Sequence, residues 1–593
     1  MQKLLQLSRS IYVGIIACLL SGKLLATDKD ALSVDAAFNF IDFQTMQVKL
    51  RGAVPTDKYI VHENTNVEIN EMYSFRKLRA YLHSNALAAM VFTHRGIEEN
   101  NKRYLDKAAG IFRTFIEYQY TSEVCTLPVN RCNNFPHLAG AFPHQLVSED
   151  YYEVGSGATT PYTGESALWM VRHGSNGRLL MALGYYTLKT GDRSFVSALR
   201  KLADYLISDR AQVNAIDSHN HGAILFGWGN PIPPRRPNYR MQHISTEHQT
   251  EVFAGLLYAA EVMQGEAGQA ERQRRYLESA TSILRFSLRK LYNPNHQRAD
   301  GKDGTFFHLG LDSDGRSSLI LPSIDTQALA YLAFSRALVD IMDVSCVLDY
   351  AWEHMYGDNP DPDEPPGVGQ VLGASTQWPP VVGRGALWYE GDAGIWLTGS
   401  AQLGQACSFA HRLTGKEAHR IRADIVSNDL RHLVWLEDAI QVENRTWSWP
   451  QGGLPEFSDD YRAHAEPFTL GKGQKMPSTQ PTVWHYFGLV GFNPYAIELG
   501  TQLPAPRDFQ AKDVGVGVEL SWRADPLAVS YIIERDDLDA PLIYVSNLNN
   551  AKAKLSVIDT QPQCVDCSYT VRPRDVSGQL GHNAETRMRL EKP

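Results

Sequence analysis

Residues 245–263 read STEHQTEVFAGLLYAAEVM and carry the pattern that decides the fold. Ser245 is a typical N-cap, and Glu247 falls in the first turn, where the helix dipole favours an acidic side chain. Apolar residues then recur at helical spacing to the end of the stretch. A turn containing Gly265 leads into a second helical pattern over residues 276–291, so the segment predicts a helical hairpin.

The same plan recurs along the chain, with short turns inside each hairpin and long loops between hairpins. Further hairpins are predicted over residues 179–206, 325–355 and 392–436. The long loops, rich in Pro, Gly and aromatic residues, cover residues 125–173, 211–244, 293–322, 357–389 and 443–479. Long loops in a compact domain are usually functional. If the hairpins close into a ring, the loops gather at one end and form a cleft; a stacked solenoid, the alternative, keeps a tighter repeat period.

After Pro504 the helical pattern gives way to alternating strands. Residues 516–522 alternate at period two and end on Trp522, and further strand patterns follow as far as residues 568–578. The early Trp and the late Tyr-x-Val segment resemble a fibronectin type III domain. That resemblance implies a spacer or binding adaptor without catalytic residues.

The fold class predicted from these patterns is mainly α. We expect an (α/α)6-type toroid over residues 67–500, preceded by an extended segment over 27–66 and followed by a small all-β, immunoglobulin-like sandwich over 504–593. An exposed, protease-sensitive boundary is expected near Leu503.

The first residues have the character of an export signal. Lys3 and Arg9 precede an apolar run over residues 11–20, with a small-residue cleavage context before Thr27, so residues 1–26 are predicted to be a signal peptide. The run is too short to span a membrane comfortably. The mature protein is therefore expected in the periplasm or outside the cell; lipoprotein anchoring at Cys18 is the alternative.

Cysteine usage agrees with an oxidising compartment. Cys125 and Cys132 bracket one loop, and Cys564 and Cys567 form a Cys-x-x-Cys motif, so two local disulfides are predicted. Cys-x-x-Cys leads into a strand pattern instead of a helix, which favours a structural bridge over a redox site. The two cysteines inside helical patterns, Cys346 and Cys407, are interpreted as core residues.

Charge and motifs exclude several function classes. With 57 Lys+Arg against 66 Asp+Glu, the formal net charge of -9 argues against a nucleic-acid partner. The sequence contains no Walker loop, nucleophile elbow, His-Glu-x-x-His or dinucleotide fingerprint, so no cofactor is predicted. A metal at His219, His221 and His243 is an alternative to hydrogen bonds with a sugar, and the sugar interpretation is preferred.

Carboxylates occur at four loop-to-helix junctions. They are Glu165, Glu247, Asp325, and the closely spaced Glu390 and Asp392. Each alone is explained by a helix start, but a toroid would direct all four junctions into one cleft. Glycoside hydrolysis requires such a pair, one carboxyl as acid and one as base or nucleophile.

Several of these segments resemble bacterial six-hairpin glycosidase-like proteins. The matching segments are residues 246–260, 324–330, 389–391, 452–455 and 481–494. The resemblance implies an α/α toroid that acts on carbohydrate. The chain departs from the pattern at Gln249, where Asn is usual, and at Asp392, where a small residue is usual.

The candidate site follows from these junctions. Glu247 and Glu390 are the predicted acid/base pair, with Asp325 and Asp392 as further carboxylates. The predicted sugar contacts are His248, Trp228, Trp388, Tyr389, Glu165 and His243. Aromatic neighbours desolvate a carboxyl and raise its pKa, as a general acid requires, which is why Glu390 beside Tyr389 is preferred.

The sequence therefore predicts a glycoside hydrolase that acts on a poly- or oligosaccharide. One alternative is a lyase or epimerase acting on uronic acids, for which Arg235, Arg236, Arg240 and His243 could supply the charge and the base. The other alternative is a non-catalytic glycan-binding or exopolysaccharide assembly protein.

Overall fold

The computed structural model describes most of the chain in segments separated by gaps. The described residues are 34–50, 54–62, 79–120, 136–147, 170–216, 218–229, 239–296, 304–312, 323–357, 373–374, 397–433, 439–442, 445–448, 453–455, 477–548, 554–560 and 566–589.

Twelve helices lie within these described residues. They are α1 (residues 34–43), α2 (Leu82–Glu98), α3 (Lys102–Ile116), α4 (His173–Thr190), α5 (Val196–Leu206), α6 (Thr246–Gln264), α7 (Ala270–Lys290), α8 (Ile324–Leu338), α9 (Cys346–Met355), α10 (Leu397–Thr414), α11 (Glu417–Leu433) and α12 (Thr479–Leu489). The predicted hairpins are confirmed, including the one that begins at Glu247.

The even-numbered helices form a closed inner ring. Each one contacts the next, and α12 contacts α2, so the ring closes and the solenoid alternative is excluded. Helices α3, α5, α7, α9 and α11 each pack against the inner helix that precedes them. These outer helices bury one face and expose the other, whereas the inner helices are buried over most of their surface.

Helix α1 occupies the sixth outer position. The ring of Phe38 lies 5.7 Å from that of Phe92 in α2, 4.7 Å from Tyr104 in α3 and 6.3 Å from Tyr486 in α12. The extended segment expected over residues 27–66 is therefore wrong in part, because Phe38 and Ile41 recur at helical spacing and are buried. The toroid begins with α1, and its described helices make an (α/α)6 arrangement.

Short strands accompany the inner helices, most of them at the N-terminal ends. The strands of the toroid are β1 (Thr45–Leu50), β2 (Val54–Val61), β3 (Arg79–Tyr81), β4 (Gln145–Val147), β5 (Val171–Arg172), β6 (Gly227–Trp228), β7 (Arg240–Met241), β8 (Ile244–Ser245), β9 (Tyr292–His296), β10 (Gly304–Phe307), β11 (Gly310–Leu311), β12 (Tyr356–Gly357), β13 (Gly373–Ala374), β14 (Ala439–Val442), β15 (Arg445–Ser448), β16 (Leu454–Pro455) and β17 (Pro477–Ser478). All their pairings are antiparallel, and β3, β5, β8 and β17 run directly into α2, α4, α6 and α12.

A repeated side-chain contact fixes these connections to the helices. The fourth residue of α2, α4, α6 and α8 is a carboxamide that accepts a hydrogen bond from one backbone N–H and donates to the C=O of that same residue, at 2.7–3.0 Å. We call these four contacts the carboxamide clamps: Asn85 to Val61, Asn176 to Phe142, Gln249 to Ile224 and Gln327 to Phe307. Because Asn and Gln both form this pair of hydrogen bonds, Gln249 plays the same structural part as Asn does at the fourth position of α2 and α4.

Helices α4 and α6 approach closely because glycines face each other between them. A Cβ on Gly177 would lie 2.7 Å from the carbonyl carbon of Glu251, and one on Gly255 would lie 2.7 Å from the carbonyl oxygen of Gly177. Both distances are shorter than a real side chain tolerates, so only glycine permits this spacing.

The C-terminal strands form two antiparallel sheets. The strands are β18 (Arg507–Asp513), β19 (Val518–Arg523), β20 (Ala528–Arg535), β21 (Ile543–Ser546), β22 (Lys554–Asp559), β23 (Asp566–Asp575) and β24 (Ala584–Arg589), ordered β18-β19-β22 and β21-β20-β23-β24. Trp522 and Tyr531, one from each sheet, are fully buried with ring centroids 5.3 Å apart. The two sheets therefore share one core, distinct from that of the toroid.

The cysteines are only partly described. Cys567 is disulfide-bonded, and its predicted partner, Cys564, lies outside the described residues. Cys125 and Cys132 also lie outside them, as do residues 1–26. Cys407 is a free, buried core residue as predicted, whereas Cys346 is free and half-buried. No described helix combines the length and the apolar character that crossing a bilayer requires.

The sheets pack firmly against α7 and α8. Arg285 of α7 donates to the backbone carbonyls of Pro526 and Asn547, and Arg574 forms an ion pair with Asp340 just after α8. Leu503 is only 8% exposed, and its carbonyl accepts a hydrogen bond from the backbone of His582. The side chain of Leu503 is therefore buried within the expected boundary, whereas Thr501, Gln502 and Pro504 around it are exposed.

Replacing Gln249 by Leu should destabilise the protein by about 2–4 kcal/mol, because the buried N–H and C=O of Ile224 lose their partners. Gln264→Leu, at the exposed end of the same helix, should change stability by less than about 0.5 kcal/mol. Urea denaturation of both variants measures the difference. Equal stability of the two variants would contradict a structural role for the clamp.

Limited proteolysis should spare the connection at Leu503, because its backbone is hydrogen-bonded and its side chain is buried. Mass spectrometry of the first fragments should show cleavage elsewhere in the chain. Early release of a fragment beginning near Pro504 would show that the sheets separate readily from the helices.

Candidate active site

The N-termini of the inner helices meet at one end of the ring. Gly177 of α4 contacts residues 251–252 of α6 and Gly184 contacts Tyr258, so the two helices run parallel. We call this end of the ring the mouth. The second residue of each of the helices α2, α4, α6, α8 and α12 lies there, close to residues of the neighbouring helices. These residues are His83, Gly174, Glu247, Asp325 and Gln480.

Arg178 links two carboxyl groups one turn apart on α6. Its Nη2 lies 2.8 Å from Oε1 of Glu247, and its Nε forms an ion pair with Oε1 of Glu251. The side chains of Arg178 and Glu251 are 1% and 2% exposed, whereas that of Glu247 is 35% exposed. Glu247 is therefore the member of this cluster that a ligand can reach.

Burial and the charge of Glu247 both raise the pKa of Glu251 well above its usual range, although Arg178 opposes the shift. The protonated form of Glu251 is consequently favoured, and it can donate a hydrogen bond to Glu247. The Arg178 guanidinium therefore faces both Glu247 and a Glu251 carboxyl whose neutral form is favoured.

Gly174 makes room for this arrangement. A Cβ at this position would lie 2.3 Å from Oε2 of Glu251 and 2.3 Å from Cδ2 of His248. The hydroxyl of Tyr495, a buried residue that follows α12, also lies close to Arg178.

Asp325 stands at the start of the next inner helix. Burial and the nearby charge of Glu247 raise the pKa of Asp325 to about 6, while the Ser323 hydroxyl and the Thr326 backbone N–H oppose the shift. Ser323 occupies the N-cap position, yet its hydroxyl donates to Asp325 and does not cap the helix. The Ser323 hydroxyl therefore forms its hydrogen bond with the Asp325 carboxyl group instead of capping α8.

Two histidines at the mouth are held neutral. Burial, followed by the charges of Arg178 and Arg172, lowers the pKa of His83 well below its usual range. Burial also lowers that of His248, which stacks at 4.4 Å on Phe226. Neutral imidazoles can accept or donate a hydrogen bond to a sugar hydroxyl.

The structure brings three of the predicted residues together. Glu247, His248 and Asp325 all belong to the mouth. His243 is exposed and lies 4.1 Å from the ring of Phe226, beside His248. Trp228 lies on β6, where its ring contacts His137 at 4.5 Å and its Nε1 donates to a backbone carbonyl.

The remaining predicted residues lie outside the described part of the chain. They are Glu165, Trp388, Tyr389, Glu390 and Asp392. Arg235 and Arg236, named for the lyase or epimerase alternative, also lie outside it, and Arg240 lies beside Trp228.

Sequence reasoning missed Arg178, Glu251, Arg172 and His83. A usable signal was present, because Gly174 and Arg178, like Glu247 and Glu251, are four residues apart and share a helix face. Among the described residues, no group of three or more His, Cys, Asp or Glu side chains is arranged to hold a metal ion.

No protein-family model matches the chain, and no curated protein sequence is significantly similar to it. Similar solved structures include a GH76 α-mannanase from Bacteroides thetaiotaomicron, 13% identical over 78% of this chain and 95% of that chain, with a TM-score of 0.44. A D-mannose isomerase is 10% identical over 78% and 97%, with a TM-score of 0.47. A cellobiose 2-epimerase from Spirochaeta thermophila is 11% identical over 79% and 98%, with a TM-score of 0.45. At these values the reaction has to be inferred from the site's own residues.

The stability of the protein should depend on pH through Asp325. Its folded-state pKa of about 6 lies above the ordinary 3.8, so its protonated form stabilises the fold below pH 4, and this contribution is lost as the pH rises through 6. Asp325→Asn should therefore gain about 1–3 kcal/mol relative to the native protein between pH 4 and pH 7. Thermal and urea denaturation at both pH values measure this gain.

Asp209→Asn is the matched control, since Asp209 is an exposed aspartate that follows α5. It should show no such pH-dependent gain. If Asp325→Asn behaves like this control, burial and the charge of Glu247 do not raise the pKa of Asp325.

Proposed function

We propose that the protein is an exported glycoside hydrolase in which Asp325 is the general acid and Glu247 is the carboxylate base or nucleophile. The observation that carries the proposal is that these two carboxyls face the same mouth in different environments: burial and the charge of Glu247 raise the pKa of Asp325, whereas Glu247 pairs with Arg178. Such divergence identifies acid and base roles in paired-carboxylate sites.

Asp325 suits the acid role because its pKa of about 6 keeps a proton available in mildly acidic solution. The negative charge on Glu247 contributes to that shift, so each carboxyl depends on the other. In the reaction, the Asp325 proton would pass to the glycosidic oxygen as its bond to the anomeric carbon breaks.

Glu247 suits the second role because Arg178 pairs with it and α6 begins beside it. The guanidinium and the positive end of the helix dipole both favour a carboxylate at this position. This carboxylate would activate a water molecule or attack the anomeric carbon directly. The described geometry supports Asp325 as its partner, while Glu390 and Asp392 remain proposed carboxylates from sequence.

A sugar substrate agrees with the other groups at the mouth. His248 and His83 offer neutral hydrogen-bonding nitrogens, and Phe226 presents an aromatic ring between His243 and His248. Export is proposed from the signal-like first residues. The C-terminal sheets are proposed to form a fibronectin type III-like domain that is held fixed against the toroid.

A sugar epimerase or lyase is the second candidate. The specific observation that favours it is the neutral state of His83 next to Arg172 and Arg178, because a neutral imidazole beside cations can abstract a proton from carbon. Reaction in D2O separates the candidates: an epimerase incorporates deuterium at a ring carbon, a lyase forms an unsaturated product that absorbs ultraviolet light, and a hydrolase does neither.

Glu247→Gln and Asp325→Asn should each lower kcat/KM by about 10²–10⁴-fold, because each removes one proton-transfer group while keeping its shape. Release of reducing ends from a panel of oligosaccharides measures the activity. The native enzyme should lose activity as the pH rises above about 6, when Asp325 ionises.

Glu271→Gln, an exposed first-turn glutamate on α7, is the matched control and should keep native activity. Melting temperatures establish that all three variants are folded. Near-native turnover by folded Glu247→Gln and Asp325→Asn would overturn the proposal.

A further inference from the structure

Arg172 is a guanidinium at the mouth that lacks a carboxylate partner among the described residues. It ends β5 and occupies the N-cap position of α4, and its Nε is buried without a hydrogen-bond partner in the described part of the chain. Arg178, six residues later, contrasts with it, because Arg178 pairs with both Glu247 and Glu251.

The surroundings of Arg172 do not neutralise its charge. Its guanidinium lies 5.3 Å from the ring of Phe226, an interaction that leaves the N–H groups at its edge available. The titratable groups facing it include His83, His243 and His248, and its charge helps to lower the pKa of all three. Burial lowers the pKa of Arg172 itself, and the charge of Glu247 opposes this.

Among the described residues, the charges at the mouth below about pH 6 leave Arg172 in excess. The carboxylate of Glu247 is matched by Arg178, and burial favours protonated Glu251. Asp325, with a pKa of about 6, is largely neutral in acidic solution. A substrate that carries a negative charge would therefore complete the site, whereas a neutral sugar would leave a desolvated guanidinium unpaired.

We propose that Arg172 binds the carboxylate of an acidic sugar, so that the substrate of this site contains uronic acid. The inference rests on the proposed sugar-processing function and adds its substrate class. A guanidinium presents its N–H donors in a planar fork that matches the two oxygens of a carboxylate. The position beside Glu247 places the acidic ring next to the reacting bond.

The test compares acidic sugars with neutral counterparts of the same linkage. Trisaccharides of galacturonate, glucuronate and mannuronate, each with its carboxyl-reduced hexose equivalent, are titrated by calorimetry into Glu247→Gln, which binds without turnover. At least one acidic trisaccharide should bind at least tenfold more tightly than its neutral equivalent. If none does, the inference is wrong. Tighter binding of a sulfated trisaccharide would contradict the carboxylate assignment.

Arg172→Met, in the Glu247→Gln background, should lose about tenfold to a hundredfold in affinity for the acidic trisaccharide and keep its affinity for the neutral one. Arg172→Lys should recover part of the lost affinity, since lysine keeps the positive charge but lacks the planar arrangement of N–H donors. Arg274→Met, which removes an exposed guanidinium near the start of α7, is the matched control and should leave the preference intact. An equal loss for acidic and neutral sugars would mean that Arg172 is structural.

Binding and turnover separate this inference from the proposed function. A native protein that prefers acidic trisaccharides through Arg172 but never cleaves them supports the inference and contradicts the hydrolase. Cleavage of neutral oligosaccharides that is unaffected in Arg172→Met supports the hydrolase and overturns the inference.

Discussion

The carboxamide clamps are the constraint on which the mouth of the ring depends. In each clamp, one side chain satisfies both the N–H and the C=O of a connecting segment and also donates to the carbonyl that precedes its own helix. Three hydrogen bonds from a buried side chain hold the connection in a fixed register against the helix start. The clamp residue is the fourth of its helix in α2, α4, α6 and α8, and the second residue of each of these helices lies at the mouth.

The chemistry follows from that register. Glu247 and Asp325 are second residues, and their shared location makes the charge of one raise the pKa of the other. The glycines between α4 and α6 bring Arg178 against both acids of α6, and Gly174 leaves the space that Glu251 occupies. A buried guanidinium with two carboxyls costs stability unless one of them keeps its proton, which explains why Glu251 favours the neutral form.

Periodicity predicted the hairpins, the ring and the strand-rich end of the chain, because each pattern reports a local preference for helix or strand. Periodicity failed to predict α1. The apolar face of this helix is short, and it packs against Phe92 and Tyr486, which are distant in sequence. Glu247 and Asp325 were found because they follow helix starts. Arg178 and Arg172 were not, since a buried cation is recognised by what surrounds it, and those neighbours come from other helices. The buried contact at Leu503 was missed for the same reason.

The proposed mechanism requires Glu247 and Asp325 to form one electrostatically coupled acid/base pair. The most direct test is a ¹³C NMR titration of the Asp325 carboxyl in the native protein and in Glu247→Gln. We expect a pKa of about 6 in the native protein, because burial and the charge of Glu247 both raise it, and a lower pKa once that charge is removed. An Asp325 pKa that is the same in both proteins would show that the two carboxyls do not act on each other, and would contradict the account.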